Sequence, residues 1–324
     1  MKRLTVRDAS TEVSLTRLSG SRHPDHTTSA GRYAGLNKPQ WAQPVRIDVF
    51  QTYVDEHDRV VLLAMAGANK RRKQAFFAKH PTCCFCGGEV DATEMDHLPA
   101  RHLFRERYWP EGYVFPACGA CNDAAADDEL IMGFIVRIQI SDLSEVDVRE
   151  LESAIAKMHD RHPEIVNGLR EMSRNDTRRM LRENGLSIGS FPKPIYVVAF
   201  PEEILDVAAR YGRKIGKALY YLHTGTIFPN SGRVFCEVIP NANFMSVKFP
   251  IEAFQIFQAS PAISRNGKSL ANQFAYRWGM TLEMDAVGFL VQFGESTVML
   301  ITAFTDAEKY EAALAARAAE TQSK

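Results

Sequence analysis

Apolar residues recur at intervals of three and four along much of the chain, a spacing that places them on one face of an α-helix. Val146 to His159 and Ile165 to Leu181 follow this pattern and predict two helices, and Asn184-Gly185 suits the end of the second. A longer helix is predicted from Pro201, because proline and the two acids after it suit a first helical turn. Gly225 is expected to end that helix. Its apolar stripe comprises Ile204, Ala208, Tyr211, Ile215, Leu219 and Leu222.

Strict alternation of apolar and polar residues predicts strands in the last third of the chain. The alternating apolar residues are Phe274, Tyr276, Trp278 and Met280, followed by Phe289, Val291 and Phe293. Gly294-Glu295-Ser296 predicts a turn before a strand over Val298 to Phe304, and Asp306 to about Ala319 predicts a last helix. Ile195 to Phe200 predicts a buried strand earlier in the chain. The expected fold class is α+β, with an antiparallel sheet near the C-terminus.

The first part of the chain differs from the rest in composition and periodicity. Residues 1–44 are rich in Ser, Thr, Gly, Arg and Asp without a regular period, which predicts a flexible N-terminal arm. From Asp55 to Lys79 the pattern becomes helical. The run Lys70, Arg71, Arg72 and Lys73 lies in this segment and is a candidate for contact with nucleic-acid phosphates, with a solvated helix face as the alternative.

Composition limits the classes of function. At 324 residues and 45% hydrophobic, the chain can bury a substantial core. Lys plus Arg equals Asp plus Glu, at 39 each, so nucleic-acid binding would have to use a local patch. Residues 1–44 contain no apolar core of the length that a signal peptide needs, and no apolar run in the chain is long enough to span a bilayer. We therefore expect a cytoplasmic protein without a membrane partner.

Five of the six cysteines lie in one short stretch, which favours metal binding in a reducing compartment. Cys83 and Cys86 form one Cys-x-x-Cys pair, and Cys118 and Cys121 form another. Four thiolates match the ligand set of a tetrahedral structural Zn²⁺ site with no open position for substrate. Cys84 could in principle replace Cys83, although the spacing favours Cys83. Reduced bystander cysteines and a redox pair are the alternatives.

Candidate chemistry lies between and just after the two cysteine pairs. Asp96 places a hard oxygen ligand beside His97, a base near neutral pH, and Asn122 directly follows the last cysteine. This combination suits metal-assisted hydrolysis of a phosphodiester. A shared zinc ion would bring Asn122 back towards Asp96.

The order Cys-x-x-Cys, Asp-His, Cys-x-x-Cys-Asn resembles the HNH, or ββα-metal, endonucleases, in particular the endonuclease VII branch. The resemblance covers about residues 80–130. It implies a zinc-bound hairpin followed by a helix. His97 would activate water, and Asp96 and Asn122 would hold a catalytic Mg²⁺ or Mn²⁺, with Glu94 and Arg101 as weaker candidates for metal and phosphate contact. Tyr113 stands where many of these proteins have an asparagine that orients the base.

The sequence therefore predicts a metal-dependent endonuclease that acts on nucleic acid, with DNA expected and RNA left open. The expected division is a flexible arm over 1–44, a helix plus the zinc-bound HNH module over 45–130, and an α+β accessory domain over 131–324. A catalytically silent zinc module that binds nucleic acid or protein is the alternative. A phage-defence effector would share the chemistry, and a homodimer is left open. In the accessory domain, Arg210, Arg213, Lys214 and Lys217 form either a phosphate-facing surface or a solvated helix face.

Overall fold

The computed structural model describes part of the chain. The described residues are the backbone of 4–8, then 69–138, 143–183, 185–187, 189, 195–240, 257–283, 285–294, 297–312 and 315. The chain divides into two compact units, one formed by Met1–Val13 and Phe76–Lys324 and the other by Ser14–Ala75. Of the second unit, only residues 69–75 are described, and they form the first part of helix α1 (69–79).

A short hairpin and two helices follow α1. Strands β2 (Glu94–His97) and β3 (Val114–Ala117) pair in antiparallel fashion, with Asp96 opposite Phe115. Helix α2 (Gly119–Asp123) begins directly after Cys118, and α3 (Ala126–Ile135) follows it. We call residues 80–135 the cysteine module. Because α3 continues through position 130 and buries Ile131, Met132 and Phe134, the core extends across the predicted boundary between residues 130 and 131.

Helix α4 (Glu145–Arg161) agrees with the first predicted helix and begins with a capping box between Ser144 and Asp147. The second predicted helix is wrong in its first part. Residues 163–183 form α5 (Pro163–Gly168), β4 (Arg170–Glu171) and α6 (Arg174–Glu183). The interruption arises because Leu169 turns to an extended conformation and Arg170 pairs with Ala199 of another strand.

Strands from distant parts of the chain form a small sheet. Strand β5 (Ile195–Ala199) pairs with β1 (Leu4–Asp8) on one side and with β4 on the other. Five residues of the predicted flexible arm therefore form a strand, because the edge of β5 supplies a partner that local sequence does not reveal. The remaining residues of the predicted arm lie outside the described residues.

Helix α7 (Glu202–Thr224) confirms the predicted long helix. Pro201 precedes it, and Gly225 ends it in the left-handed conformation, with φ of 68°. Its predicted stripe is buried from Ile204 to Leu219, whereas Leu222 is 39% exposed. In the last turn of the helix, the apolar stripe is therefore exposed to solvent.

The C-terminal region contains the predicted antiparallel sheet. Its five strands are β6 (Arg233–Pro240), β7 (Gln258–Ala259), β10 (Phe274–Met280), β11 (Ala286–Phe293) and β12 (Thr297–Phe304). Strands β8 (Ser264–Arg265) and β9 (Lys268–Ser269) form a separate hairpin between β7 and β10 in the chain. The order in the five-stranded sheet is β6-β12-β11-β10-β7. The last predicted helix is described over 307–312 and at 315.

Helix α7 lies against this sheet at very short range. A Cβ atom added at Gly212 would lie 2.2 Å from Cys236 Sγ, and one added at Gly216 would lie 2.7 Å from Ile301 Cγ2. The two glycines stand one helical turn apart and allow this close approach. The buried apolar residues form one cluster that joins the cysteine module, α7 and the sheet. The position of α7 beside the cysteine module follows from this shared core.

None of the helices described by the structure has both the length and the apolar composition needed to cross a membrane.

Candidate functional site

The two Cys-x-x-Cys pairs lie close together in the cysteine module. The sulfur atoms of Cys83, Cys86, Cys118 and Cys121 all lie within 4.8 Å of one another. Gly87 and Gly88 follow the first pair with φ of 69° and 81°, which is the left-handed turn that glycine allows. The second pair spans the start of α2. The four cysteines could therefore bind one metal ion such as Zn²⁺.

The surroundings of the sulfur atoms fit a metal-bound thiolate. Backbone N–H groups of Phe85 and Cys121 donate to the sulfurs of Cys83 and Cys118, each at 3.4 Å. Such donors stabilise negative charge on sulfur. Tetrahedral Zn²⁺ with bonds of about 2.3 Å requires sulfurs about 3.8 Å apart, which is compatible with the 4.8 Å limit on the separations in this cluster. The all-sulfur donor set favours Zn²⁺ over hard cations such as Mg²⁺.

Cys84 is not part of the sulfur cluster. It is fully buried, and its backbone N–H donates to the carbonyl of Pro116 at 2.9 Å. Burial, together with the neighbouring Cys83 and Asp96, raises the pKa of the Cys84 thiol well above its usual range. Cys84 is thus a neutral core thiol, and the ligand position in the cluster belongs to Cys83.

The predicted Asp-His pair lies at the end of β2. Asp96 is 6% exposed, His97 is half-buried and Glu94 is exposed. The β2–β3 hairpin is hydrogen-bonded to the segment that precedes it, which contains Cys83 and Cys86, because the Cys84 and Thr93 N–H groups donate to carbonyls of β3. The cysteine cluster therefore fixes the strand from which Asp96 and His97 project.

Arginines and one tryptophan surround His97. The Arg101 Nη2 atom lies 2.6 Å from His97 Nε2, and Trp109 contacts the imidazole edge-on at 5.4 Å between ring centroids. Trp109 itself lies between two guanidinium groups, Arg101 at 4.1 Å and Arg265 at 3.8 Å from the ring centroid. Arg265 belongs to the β8–β9 hairpin and also donates to the Trp109 carbonyl at 3.3 Å. The sequence did not predict Trp109 or Arg265 as site residues.

Asp96 has a different set of partners. Lys214 Nζ of α7 lies 2.6 Å from Asp96 Oδ2, as an ion pair without the alignment of a hydrogen bond. The same ammonium lies 3.3 Å from Glu129 Oε1 of α3. Burial raises the pKa of the Glu129 carboxyl to about 7, Lys214 opposes this shift, and Asp96 adds to it. Two carboxyl groups therefore share one ammonium group in a buried site, and its charge can balance only one of them when both are ionised.

Neither Lys214 nor Glu129 was predicted to belong to the site. Lys214 was assigned to a cationic helix face, and Glu129 had no assigned role. They are 85 residues apart in the chain, so no local spacing connects them. They meet because α3 and α7 pack together beneath the hairpin, with the buried Tyr211 hydroxyl accepting a hydrogen bond from the Ala100 N–H at 3.0 Å.

Asn122 and Tyr113 occupy separate positions. Asn122 is half-buried in α2, and within the described part of the chain no hydrogen bond joins its carboxamide to Asp96. Tyr113 is 6% exposed and packs edge-on against Phe274, with its hydroxyl 3.4 Å from that of Tyr276. Tyr113 thus anchors the hairpin to the C-terminal sheet.

The predicted phosphate contacts divide into two groups. Arg101 lies beside His97. The side chains of Lys70, Arg71, Arg72 and Lys73 are exposed on α1, in the part of that helix that belongs to the second unit. The predicted contact of this run with nucleic acid stays a prediction.

Comparison with known proteins gave no match: no family model, no curated protein and no solved structure matches this chain.

Proposed function

We propose that this protein is a metal-dependent endonuclease of the HNH type, acting on nucleic acid, with DNA as the expected substrate. The observation that carries the proposal is the cysteine cluster, which gathers a β-hairpin and a helix around it with Asp96 and His97 on the first strand. The resemblance implies a zinc-bound hairpin followed by a helix, and the pairing of β2 with β3 ahead of α2 supports the proposal. Zinc at the cluster would be structural, since four sulfurs leave no position for substrate.

His97 is the proposed general base. Arg101 is a donor only, so its approach to Nε2 at 2.6 Å requires that nitrogen to act as an acceptor. A neutral imidazole with Nε2 as acceptor carries its proton on Nδ1, so Arg101 must move away from Nε2 before that nitrogen can take a proton from water. The same cation is suitably charged to attract the scissile phosphate.

Asp96 and Asn122 are the proposed ligands of the catalytic Mg²⁺ or Mn²⁺, with Glu94 as a weaker candidate. Such an ion would stabilise the charge that develops on the phosphate and the leaving oxygen. The carboxylate of Asp96 already attracts a cation, Lys214, at 2.6 Å. Ion binding at Asp96 therefore requires the ammonium to move away or to share the carboxylate.

A second candidate function is a zinc module that binds nucleic acid without cleaving it. Lys214 already occupies Asp96, and among the described residues no hydrogen bond joins Asn122 to Asp96; both observations favour this alternative. In that case Lys214 would be a permanent structural partner of Asp96, and His97 and Arg101 would contribute only to binding.

The deciding experiment measures cleavage of supercoiled plasmid, single-stranded DNA and RNA by the full-length zinc-loaded protein with Mg²⁺ or Mn²⁺. The nuclease proposal expects cleavage, and a loss of about 10²-fold or more in rate for His97→Ala, the scale of general-base catalysis. His159→Ala is the matched control, because His159 is an exposed residue of α4.

The outcomes separate the two candidates. If zinc is bound in stoichiometric amount but no substrate is cleaved, the non-catalytic candidate is favoured. If His97→Ala retains zinc and cleaves at the rate of the His159→Ala control, the assignment of His97 as the base is wrong.

A further inference from the structure

A cleft of ≈ 470 Å³ lies between α7, the start of α3 and the loop that precedes β6. Its volume is within the range of about 300 to 1,000 Å³ that is usual for ligand clefts. We define this as the cationic cleft by its charged lining residues, which are Arg210, Arg213, Lys214, Lys217, Arg233 and the single acid Asp128. Five cations converge on a concave surface in a chain whose formal net charge is zero.

Three of the five cations have no carboxylate partner among the residues that the structure describes. Arg210 pairs with Asp128 at 2.7 Å, and Lys214 pairs with Asp96 and Glu129. In the part of the chain that the structure describes, no ion pair includes Arg213, Lys217 or Arg233, and Lys217 donates only to the neutral carbonyl of Phe85 at 2.7 Å. The cleft therefore retains an excess positive charge.

The spacing of these cations suits a linear polyanion. Positions 210, 213, 214 and 217 lie on one face of α7 and span about 10 Å at a rise of about 1.5 Å per residue. A nucleic-acid strand presents one phosphate for each rise of about 3.4 Å along the duplex axis, and its phosphates lie farther apart than this because the backbone winds around the axis, so at most about three phosphates fit along this distance. Arg233 extends the array from the start of β6.

The cleft adjoins the proposed catalytic residues. Lys214 lines the cleft and also contacts Asp96, and Cys121, which precedes Asn122, forms part of the opposite wall. A strand lying in the cleft would thus continue towards the Asp-His pair. This continuity favours nucleic acid over an unrelated acidic ligand.

We propose that the cationic cleft binds the sugar-phosphate backbone of one nucleic-acid strand beside the scissile position. The inference rests on the proposed function, since it takes the substrate to be nucleic acid. Arg213 and Arg233 are the principal phosphate contacts, because both are exposed and neither has a carboxylate partner among the described residues.

The test measures binding of fluorescent single-stranded DNA to the full-length zinc-loaded protein by anisotropy, between 50 and 300 mM salt, in Ca²⁺ to limit cleavage. The double variant Arg213→Gln/Arg233→Gln is compared with Arg174→Gln/Arg178→Gln, which removes the same charge from exposed positions of α6. Two lost contacts should reduce the slope of log K against log salt by about 1.4. If the two contacts contribute nothing to binding at 1 M salt, the cleft variant should bind single-stranded DNA about 25-fold more weakly than wild type at 0.1 M salt.

Separate outcomes bear on the cleft and on the nuclease. Weakened binding in the cleft variant but not in the α6 control supports the cleft, whether or not the wild type cleaves. If the wild type cleaves DNA and the cleft variant keeps the wild-type salt slope, the cleft proposal is wrong and the nuclease proposal stands. If the wild type binds no nucleic acid but binds poly-glutamate through Arg213 and Arg233, the cleft is a protein-docking site and the proposal is overturned. Equal circular dichroism spectra and zinc content establish that the variants are folded.

Discussion

Replacing Lys214 by methionine tests the buried ion pair that connects α7 to the Asp-His hairpin. The Lys214 and Asp96 side chains are 11% and 5% exposed, so water screens their interaction only weakly. Methionine keeps the length and apolar stem of lysine but removes its charge. Asp96 would then carry a buried negative charge without its partner.

The size of the effect follows from the geometry. Unit charges 2.6 Å apart attract by about 6 kcal/mol at an effective dielectric constant of about 20. The wild-type protein must also remove water from the lysine ammonium, and because the methionine variant avoids this cost, the net loss of stability is smaller than the attraction. Removal of one partner from a buried pair typically costs about 3–5 kcal/mol. Glu129 adds little to this cost at pH 7, because loss of Lys214 raises the pKa of its carboxyl further and leaves it protonated.

The assay is thermal unfolding of the zinc-loaded protein at pH 7. A loss of about 3 kcal/mol should lower the Tm by about 4 °C in a chain of 324 residues, at an unfolding entropy of about 2.1 cal/mol/K per residue. The double variant Asp96→Asn/Lys214→Met should recover most of the loss, because no unpaired charge remains. Lys309→Met is the matched control, since Lys309 pairs with Asp285 at an exposed position, where removing the ion pair should change the Tm little.

The same variant also tests the proposed catalytic ion. If Asp96 holds Mn²⁺, the ion should restore stability to Lys214→Met, by about 2.7 kcal/mol when Mn²⁺ is at 100 times its Kd. A Tm for Lys214→Met equal to that of wild type would refute the buried ion pair. A variant that is destabilised but gains nothing from Mn²⁺ would contradict the role of Asp96 as a ligand.

Three further predictions concern the cysteine cluster, the helix–sheet contact and the half-buried His102. Cys118→Ser should lose bound zinc and unfold the cysteine module, whereas Cys84→Ser should keep it; zinc content measured by atomic emission decides between them. Gly212→Ala should cost about 1–3 kcal/mol, because its Cβ would lie 2.2 Å from Cys236 Sγ, and Cys236→Ala should relieve much of that cost in urea unfolding. Burial lowers the pKa of His102 below 6.5, although its bond to the Glu129 carbonyl opposes this; the unfolded chain therefore binds more protons. The stability from neutral His102 is present above pH 6.5 and falls as the pH decreases towards the folded pKa, so His102→Gln should flatten the stability profile between pH 5 and 7.

Each of these predictions has a result that would contradict it. Zinc release by Cys84→Ser but not by Cys83→Ser would reverse the ligand assignment. An equal cost for Gly212→Ala with and without Cys236→Ala would mean that the helix–sheet contact is not the cause. If the free energy of unfolding of His102→Gln has the same pH dependence as that of wild type, another group is responsible for the loss of stability at low pH.

Local sequence determined the elements that have strong periodic or capping signals. Helix α7 begins after Pro201 and ends at Gly225, as the proline, the acids and the glycine predict. The strands around Phe274 and Phe289 follow from strict alternation, which is the period of a half-buried strand. The spacing of the cysteine pairs identified the four sulfurs that come together. These features depend on residues close in sequence, where spacing alone sets which side chains share a face or a turn.

Tertiary structure decided the features that depend on pairing between distant segments. Leu4–Asp8 becomes a strand only because β5 offers an edge, and the predicted helix from Ile165 is divided because Arg170 pairs with that same strand. The sequence selected Asp96 and His97, but packing of α3 and α7 placed Glu129 and Lys214 beside Asp96. Packing likewise brought the β8–β9 hairpin, with Arg265, to Trp109 beside His97. Coulomb interactions and burial depend on separation in space, and the spacing of residues along the chain does not contain that information.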